Sequence, residues 1–204
     1  MLSKLTSSYQ GLKLFDWNTH PIKVIETIVN HYGQDIEFEF SRYKYIPQSL
    51  EDKREIFNMN GSMLSRDYVA TLFSELNEGE ELALHSKILI NNQLKHIPMI
   101  DLSAKSTARA IKGLMGLLPK NISSELVFFN SGRSFHAYST CLIDNENFPS
   151  FLGRLLLSNQ VGEPLLVDSR WVGHRLVGGY LSLRWSCNTK NYVQYPKKVN
   201  GFSN

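Results

Sequence analysis

The 204-residue chain has two cysteines, Cys141 and Cys187. They stand far apart, without the close pairing of a zinc knuckle, which argues against both a disulfide framework and a cysteine-held metal. Long apolar runs are missing as well. No window approaches the ~20 residues that a membrane helix needs. Lys4 and Lys13 flank no apolar stretch of signal-peptide length, so the expectation is a soluble protein, not bound to membrane, with the cytoplasm as its compartment. Internal repeats, low-complexity tracts and a recognisable linker are also lacking. A chain of this length without them reads as one domain over 1–204, large enough for a substantial core.

Strong net charge is a further absence, at +3 overall. Its distribution is less even. Residues 1–100 hold 10 Lys/Arg against 13 Asp/Glu, whereas residues 101–204 hold 12 against 6. A basic second half suits phosphate ligands, and it equally suits an ordinary solvated face.

The hydrophobic pattern mixes periods. Residues 20–33 space Ile22, Val24, Ile25, Ile28 and Val29 as a helix does, with Gly33 as its stop. Residues 36–46 alternate as a strand, and residues 67–77 read as a second helix. Residues 81–90 and 95–102 form a hairpin across Asn91-Asn92, a pair that tolerates left-handed backbone. Lys105 to Leu118 follows as an amphipathic helix, opened by Ser103 or Ser106 and ended before Pro119. Strands over 125–130 and 134–143 flank a Ser131-Gly132-Arg133 turn. A helix over 148–158 precedes a short buried strand, Leu165 to Val167. A turn or short helix then leads to a strand over Tyr180–Ser186 and a polar tail expected to be loose. Strands and helices in this order make the class α+β.

Several residues in this pattern can carry chemistry. Asp101 ends the apolar run Ile97, Met99, Ile100 and precedes a helix, and Asp168 ends Leu165-Leu166-Val167. Carboxylates at strand ends can gather a hard cation, or serve as a helix cap and a turn residue. Between them lies Ser131-Gly132-Arg133-Ser134-Phe135-His136. Glycine lets the backbone turn tightly and approach a ligand. Ser131 and Arg133 can then offer hydroxyl, guanidinium and amide donors to phosphate oxygens. Strand parity sends His136 to the face of Ser134 and away from that of Phe135.

Downstream, Arg170, Arg175 and Arg184 can clamp a triphosphate or a template backbone, or pair with the chain's own acids. Arg175 ranks first among them, because it closely follows Asp168 and precedes Gly178-Gly179. Trp171 and Trp185 can stack on bases or simply fill the core.

These pieces, in this order, resemble the archaeo-eukaryotic primase superfamily, which includes primase-polymerases and the polymerase domains of bacterial repair ligases. The family pattern is a hydrophobic-Asp-x-Asp strand end, a Ser-x-His strand and a hydrophobic-Asp strand end. It falls here on Met99-Ile100-Asp101-Leu102-Ser103, on Ser131-Gly132-Arg133-Ser134-Phe135-His136, and on Leu166-Val167-Asp168. Arg175 with Gly179 to Arg184 resembles the basic segment that follows. The resemblance covers about residues 80–190; nothing specific ties residues 1–79 to it. Two positions depart from the pattern: Ser103 replaces the second aspartate of the first motif, and Ser134 stands where glycine is common.

The resemblance implies an RRM-like catalytic sheet with an additional N-terminal α/β portion. It implies Mg or Mn held by Asp101 and Asp168, with Asp101, Asp168 and His136 catalytic. Ser131, Arg133, His136 and Arg175 would bind a nucleoside triphosphate, and Arg170 and Arg184 would contact DNA or RNA. The implied activity is nucleotidyl transfer to a nucleic-acid 3′ end, with a protein partner in support. Ser103 leaves two of the usual three acids, so either Asp144 or Glu146 substitutes, or one metal is held weakly, or catalysis is lost. The alternative function is then a catalytically inactive module that binds nucleotide or nucleic acid. An RRM-type RNA binder ranks last, because the paired aromatic strand motifs of that class are absent.

Overall fold

A computed structural model of the chain describes residues 15–199. It is α+β, with helices and antiparallel sheets interleaved along the chain. The order is α1 (Ile22–Tyr32), β1 (Glu37–Lys44), β2 (Arg54–Asn60), α2 (Arg66–Ser74), β3 (Glu80–Ile90), β4 (Gln93–His96) and β5 (Met99–Leu102). It continues with α3 (Thr107–Leu114), α4 (Lys120–Ser123), β6 (Val127–Asn130), β7 (Phe135–Tyr138), β8 (Ile143–Asp144) and α5 (Phe148–Leu157). The last elements are α6 (Ser169–Gly178), β9 (Ser182–Arg184) and β10 (Lys197–Lys198). Among the described residues no helix is long and apolar enough to cross a membrane.

The first sheet is built around β3. Glu81 to Ser86 are buried without alternation, the mark of a strand covered on both faces. β1 pairs along one side of β3, while β9 and then β4 share the other. β2 extends the sheet beyond β1 and β8 beyond β4. Asn91 and Asn92 both take positive φ, 48° and 63°, at the β3–β4 turn that the asparagine pair promises.

The second sheet has the order β10-β6-β7-β5. The second arm expected over 95–102 is divided between the two sheets. Pro98 has no N–H to continue a ladder, so the chain leaves the first sheet after His96 and enters the second at Met99. The strand expected over 134–143 divides in the same way, into β7 of the second sheet and β8 of the first. The strand expected at Leu165–Val167 reduces to one antiparallel bridge, Val167 to Leu102, on the free side of β5.

The segment after Asp168 is the ten-residue helix α6, ended by Gly179 in the left-handed region. The tail expected to be loose is pinned: β10 pairs with β6, and Gln194 Nε2 donates to the Asn130 carbonyl at 3.1 Å.

One hydrophobic cluster runs through both sheets, with Ile22, Val24, Ile25 and Ile28 of α1 at its edge. Each fully buried aliphatic or aromatic side chain there contributes roughly 1.5–3 kcal/mol. Trp185 belongs to this core at 0% exposure, which removes it as a base-stacking platform. His20 is equally buried. Its Nδ1 accepts the N–H of Ile22 at 3.1 Å and its Nε2–H donates to the Trp185 carbonyl at 2.9 Å, so it opens α1 and ties it to the core.

Candidate active site

The ends of β5 and β7 and the start of α6 meet at one cleft. Antiparallel pairing sets Asp101 directly opposite His136, and opposed residues share a face. Asp101 Oδ1 lies 3.9 Å from His136 Nε2. Asp168 is brought alongside by the backbone: its N–H donates to the Asp101 carbonyl at 3.1 Å. The Asp168 side chain also caps α6, with Oδ1 accepting the N–H groups of Arg170 and Trp171 at 2.9 and 3.0 Å. The cap uses one carboxylate oxygen and leaves the other.

The Asp168 carboxylate acts on Asp101. Burial, together with the Asp168 carboxylate, pushes the Asp101 carboxyl up to about 7, against the opposing pull of Arg184 and Arg175. The Asp101 side chain keeps 31% exposure, so water at the cleft mouth tempers this effect. Burial and the nearby Arg184 hold His136 down to about 3, so its ring is neutral. His136 Nδ1 is buried without a partner among the described residues.

The turn between β6 and β7 is fixed atom by atom. Ser131 N–H donates to the Ser134 carbonyl at 3.0 Å, and Gly132 N–H donates to Asn130 Oδ1 at 2.8 Å. Gly132 takes φ +111°, and a Cβ there would lie 2.6 Å from Val193 Cγ2. Glycine is thus required on two counts. The Ser134 hydroxyl donates to the Leu102 carbonyl, joining the turn to β5. Arg133 is exposed, and its guanidinium makes no hydrogen bond or ion pair among the described residues; its carbonyl accepts from Lys105 Nζ at 2.9 Å.

The three downstream arginines reach the same cleft by different means. Arg175 is 3% exposed and donates through Nη2 to Asp52, while its Nε and Nη1 have no acceptor among the described residues. Arg184 is 4% exposed and donates to the carbonyls of Ser186, Gln194 and Ser131, the last at 2.8 Å. These bonds fix the glycine turn. Arg170 donates to the Gln48 and Ser49 carbonyls, both at 2.7 Å, and thereby ties α6 to the segment between β1 and β2.

Asp101, Asp168, His136, Ser131, Arg133, Arg175, Arg170 and Arg184, the residues that the family resemblance singles out, line this cleft of about 610 Å³, and Ser103 and Trp171 line it too. Asp144 and Glu146 do not. They lie at β8 and the turn after it, where Asp144 pairs with Lys95, so neither replaces the missing acid of the first motif. Among the described residues no group of three or more His, Cys, Asp or Glu side chains comes together to hold a metal.

Tyr43, Asp52 and Arg54 form a wall of the cleft that sequence reasoning misses. Their stretch, Glu51-Asp-Lys-Arg-Glu55, looks like any charged loop. What distinguishes it is the pairing of Asp52 with Arg175, a contact across more than a hundred positions that spacing does not encode.

The family model for AEP-like proteins, described as archaeo-eukaryotic primase 1D-like, matches residues 60–197. No curated protein and no solved structure matches the chain. The matched region spans more than half of the chain and contains β5, β7 and the start of α6, with Asp101, His136 and Asp168. The chain therefore belongs to the archaeo-eukaryotic primase-like family.

Proposed function

We propose that the cleft binds a nucleoside triphosphate and transfers its nucleotidyl group to a nucleic-acid 3′ end. Family membership supports a primase- or polymerase-like role connected with nucleic acid. The observation that carries the finer reading is the convergence, in one cleft, of the Asp101–Asp168 pair, the Asp101–His136 register pair and the basic turn at Ser131–Arg133.

The chain order also supports an RRM-like sheet. β5, α3, β6, β7, α5 and the Val167 bridge follow a β-α-β-β-α-β path. Val167 and β7 flank β5, and β6 lies outside β7. In such a sheet the central strand presents Asp101 beside the strand carrying His136.

Within the cleft, Arg133 and Arg175 supply charge-assisted donors to the phosphates, and Ser131 adds a hydroxyl. His136 acts as a neutral hydrogen-bonding group, since its ring carries no charge near pH 7. Arg184 holds the turn in place from behind. The donor set of Asp101 and the uncapped oxygen of Asp168 fits one hard divalent cation, Mg or Mn. Such an ion would supply Lewis-acid stabilisation of phosphate oxygens. Arg170, at the rim near Trp171, suits a nucleic-acid backbone.

Ser103 favours a second reading, a module of the same fold that binds nucleotide without transferring it. The experiment is extension of a labelled primer on a template with nucleoside triphosphates and either Mg²⁺ or Mn²⁺. Extension that disappears in Asp101→Asn and Asp168→Asn supports transfer. Tight triphosphate binding with no extension under either metal overturns it and selects the second reading.

A further inference from the structure

Residues 45–53, between β1 and β2, form an irregular segment, yet it delivers a carboxylate into the cleft. Asp52 sits between two guanidinium groups. Arg54 Nε donates to both Asp52 oxygens at 2.9 Å, and Arg175 Nη2 donates to Oδ2. Arg54 does not depend on Asp52 for its position, whereas Asp52 is the one hydrogen-bond partner of the Arg175 guanidinium among the described residues. Arg54 donates through Nη1 to Ser41 Oγ and Ser182 Oγ, each at 3.0 Å, and lies 4.1 Å from the Tyr43 ring centroid. Ser41 is itself held by His85 at 2.7 Å, whose other ring nitrogen bonds Glu39 at 2.6 Å. Arg175 rests 5.2 Å from the Tyr180 ring centroid.

The fit of Asp52 to this pair is incomplete. Arg175 Nε and Nη1 are buried and have no acceptor among the described residues, a costly arrangement for charged donors. A carboxylate has two oxygens, and both are engaged. A terminal phosphate has three, with up to two negative charges, and can reach donors that Asp52 leaves idle.

The geometry points to Arg54 and Arg175 as the seat of a terminal phosphate of a polyphosphate, with Asp52 as an internal stand-in that the ligand displaces. This rests on the reading that the cleft takes a nucleoside triphosphate. It adds Arg54 to the site, and it gives the 45–53 segment a part in ligand entry. Once Asp52 is displaced, the Arg170 bonds to the Gln48 and Ser49 carbonyls remain as a tether.

The test is calorimetric titration of the full chain with inorganic tripolyphosphate, in the absence of divalent metal. Asp52→Asn is expected to bind about tenfold more tightly than the unmodified protein, because an internal competitor is gone. Arg54→Gln is expected to bind about tenfold more weakly. Glu55→Gln makes the same charge change as Asp52→Asn, but on a side chain that pairs with Arg42, and should stay within about twofold. Unchanged affinity in Asp52→Asn, or equal tightening in Glu55→Gln, overturns the proposal.

Hydrogen exchange on the unmodified protein gives an independent reading that needs no variant to fold. Amides of 45–53 should exchange faster when tripolyphosphate saturates the site; equal or slower exchange overturns the displacement. Because these readouts are of binding, a protein that meets them but extends no primer keeps the phosphate seat and loses only nucleotidyl transfer.

Discussion

Asp168 donates its backbone N–H to the carbonyl of Asp101 at 3.1 Å, so two acids far apart in the chain are locked side by side by main-chain geometry. The Asp168 side chain caps α6 as well, and substitutions can separate its two duties. Asparagine is as good a cap as aspartate. Asp168→Asn should therefore hold the stability of the parent within a few tenths of a kcal/mol while reducing primer extension by about a hundredfold or more. Asp168→Ala should lose extension and, in addition, about 1 kcal/mol of unfolding free energy. Urea denaturation beside the extension assay reads both. Equal instability of the two variants would count against the cap, and full extension by Asp168→Asn against the metal role.

Gly132 offers a second separable effect. Alanine there meets both a left-handed φ of +111° and a Val193 methyl at 2.6 Å. Gly132→Ala should cost about 1–3 kcal/mol and weaken triphosphate binding, because the turn carries Ser131 and Arg133. Adding Val193→Ala relieves the clash but not the backbone strain, so the double variant should recover part of the stability. Complete recovery would show that the turn tolerates a side chain and that its φ is adaptable.

Local patterning made much of this fold legible, and long-range packing made the rest invisible. The α1 helix was readable because Ile22, Ile25 and Ile28 repeat at helical spacing. The β3–β4 turn was readable because two adjacent asparagines tolerate positive φ. The division of 95–102 between two sheets was harder, since Pro98 breaks a ladder without showing where the chain goes next. The expected buried strand before Asp168 has the right residues, but only Val167 forms a β-bridge, to Leu102.

The site divides along the same line. Asp101, the glycine turn, His136 and Asp168 stand on recognisable local patterns, so the sequence singles them out. Asp52 and Arg54 belong to the cleft through contacts with α6 and β9, and nothing in their neighbourhood along the chain announces it. Trp185 shows the opposite hazard: a residue type suited to stacking lies wholly inside the core.

Buried neutral histidines set the acid response. Burial is the chief cause holding His20 and His136 down to about 3, and it lowers His85 and His96 as well. At His20 and His136 the unfolded chain takes up a proton below about pH 6.5, while the folded chain resists until about 3. Their contribution is therefore complete above pH 6.5 and is lost as pH falls. Asp101 works in the opposite direction: pushed up to about 7, it binds a proton in the folded state first and adds stability as pH falls from 7. Its partial exposure makes that gain the smaller one. From pH 6.5 to 5, each of His20 and His136 costs on the order of 2 kcal/mol, by linkage. A lower urea midpoint at pH 5 than at pH 7 is expected. His20→Gln should flatten the dependence and Asp101→Asn should steepen it. A midpoint that does not move between these pH values would contradict the assignment.

Ser103 is where the chain departs most consequentially from the family pattern, and it can be changed with little disturbance. Its N–H is committed to the Leu166 carbonyl at 2.9 Å, a backbone bond that survives any side-chain substitution except proline. Its side chain lines the cleft two positions after Asp101. Ser103→Asp therefore adds a third carboxylate to a place where two already repel each other, and without metal it should lower stability by about 1 kcal/mol. Mn²⁺ should reverse that loss, giving a larger rise in melting temperature than it gives the unmodified protein. Extension should rise about tenfold or more if the natural site binds its cation weakly for want of this acid. A variant that folds, shows no added Mn²⁺ stabilisation and gains no extension would mean that position 103 does not face the bound ion. The site would then have to be built around Asp101 and Asp168 alone.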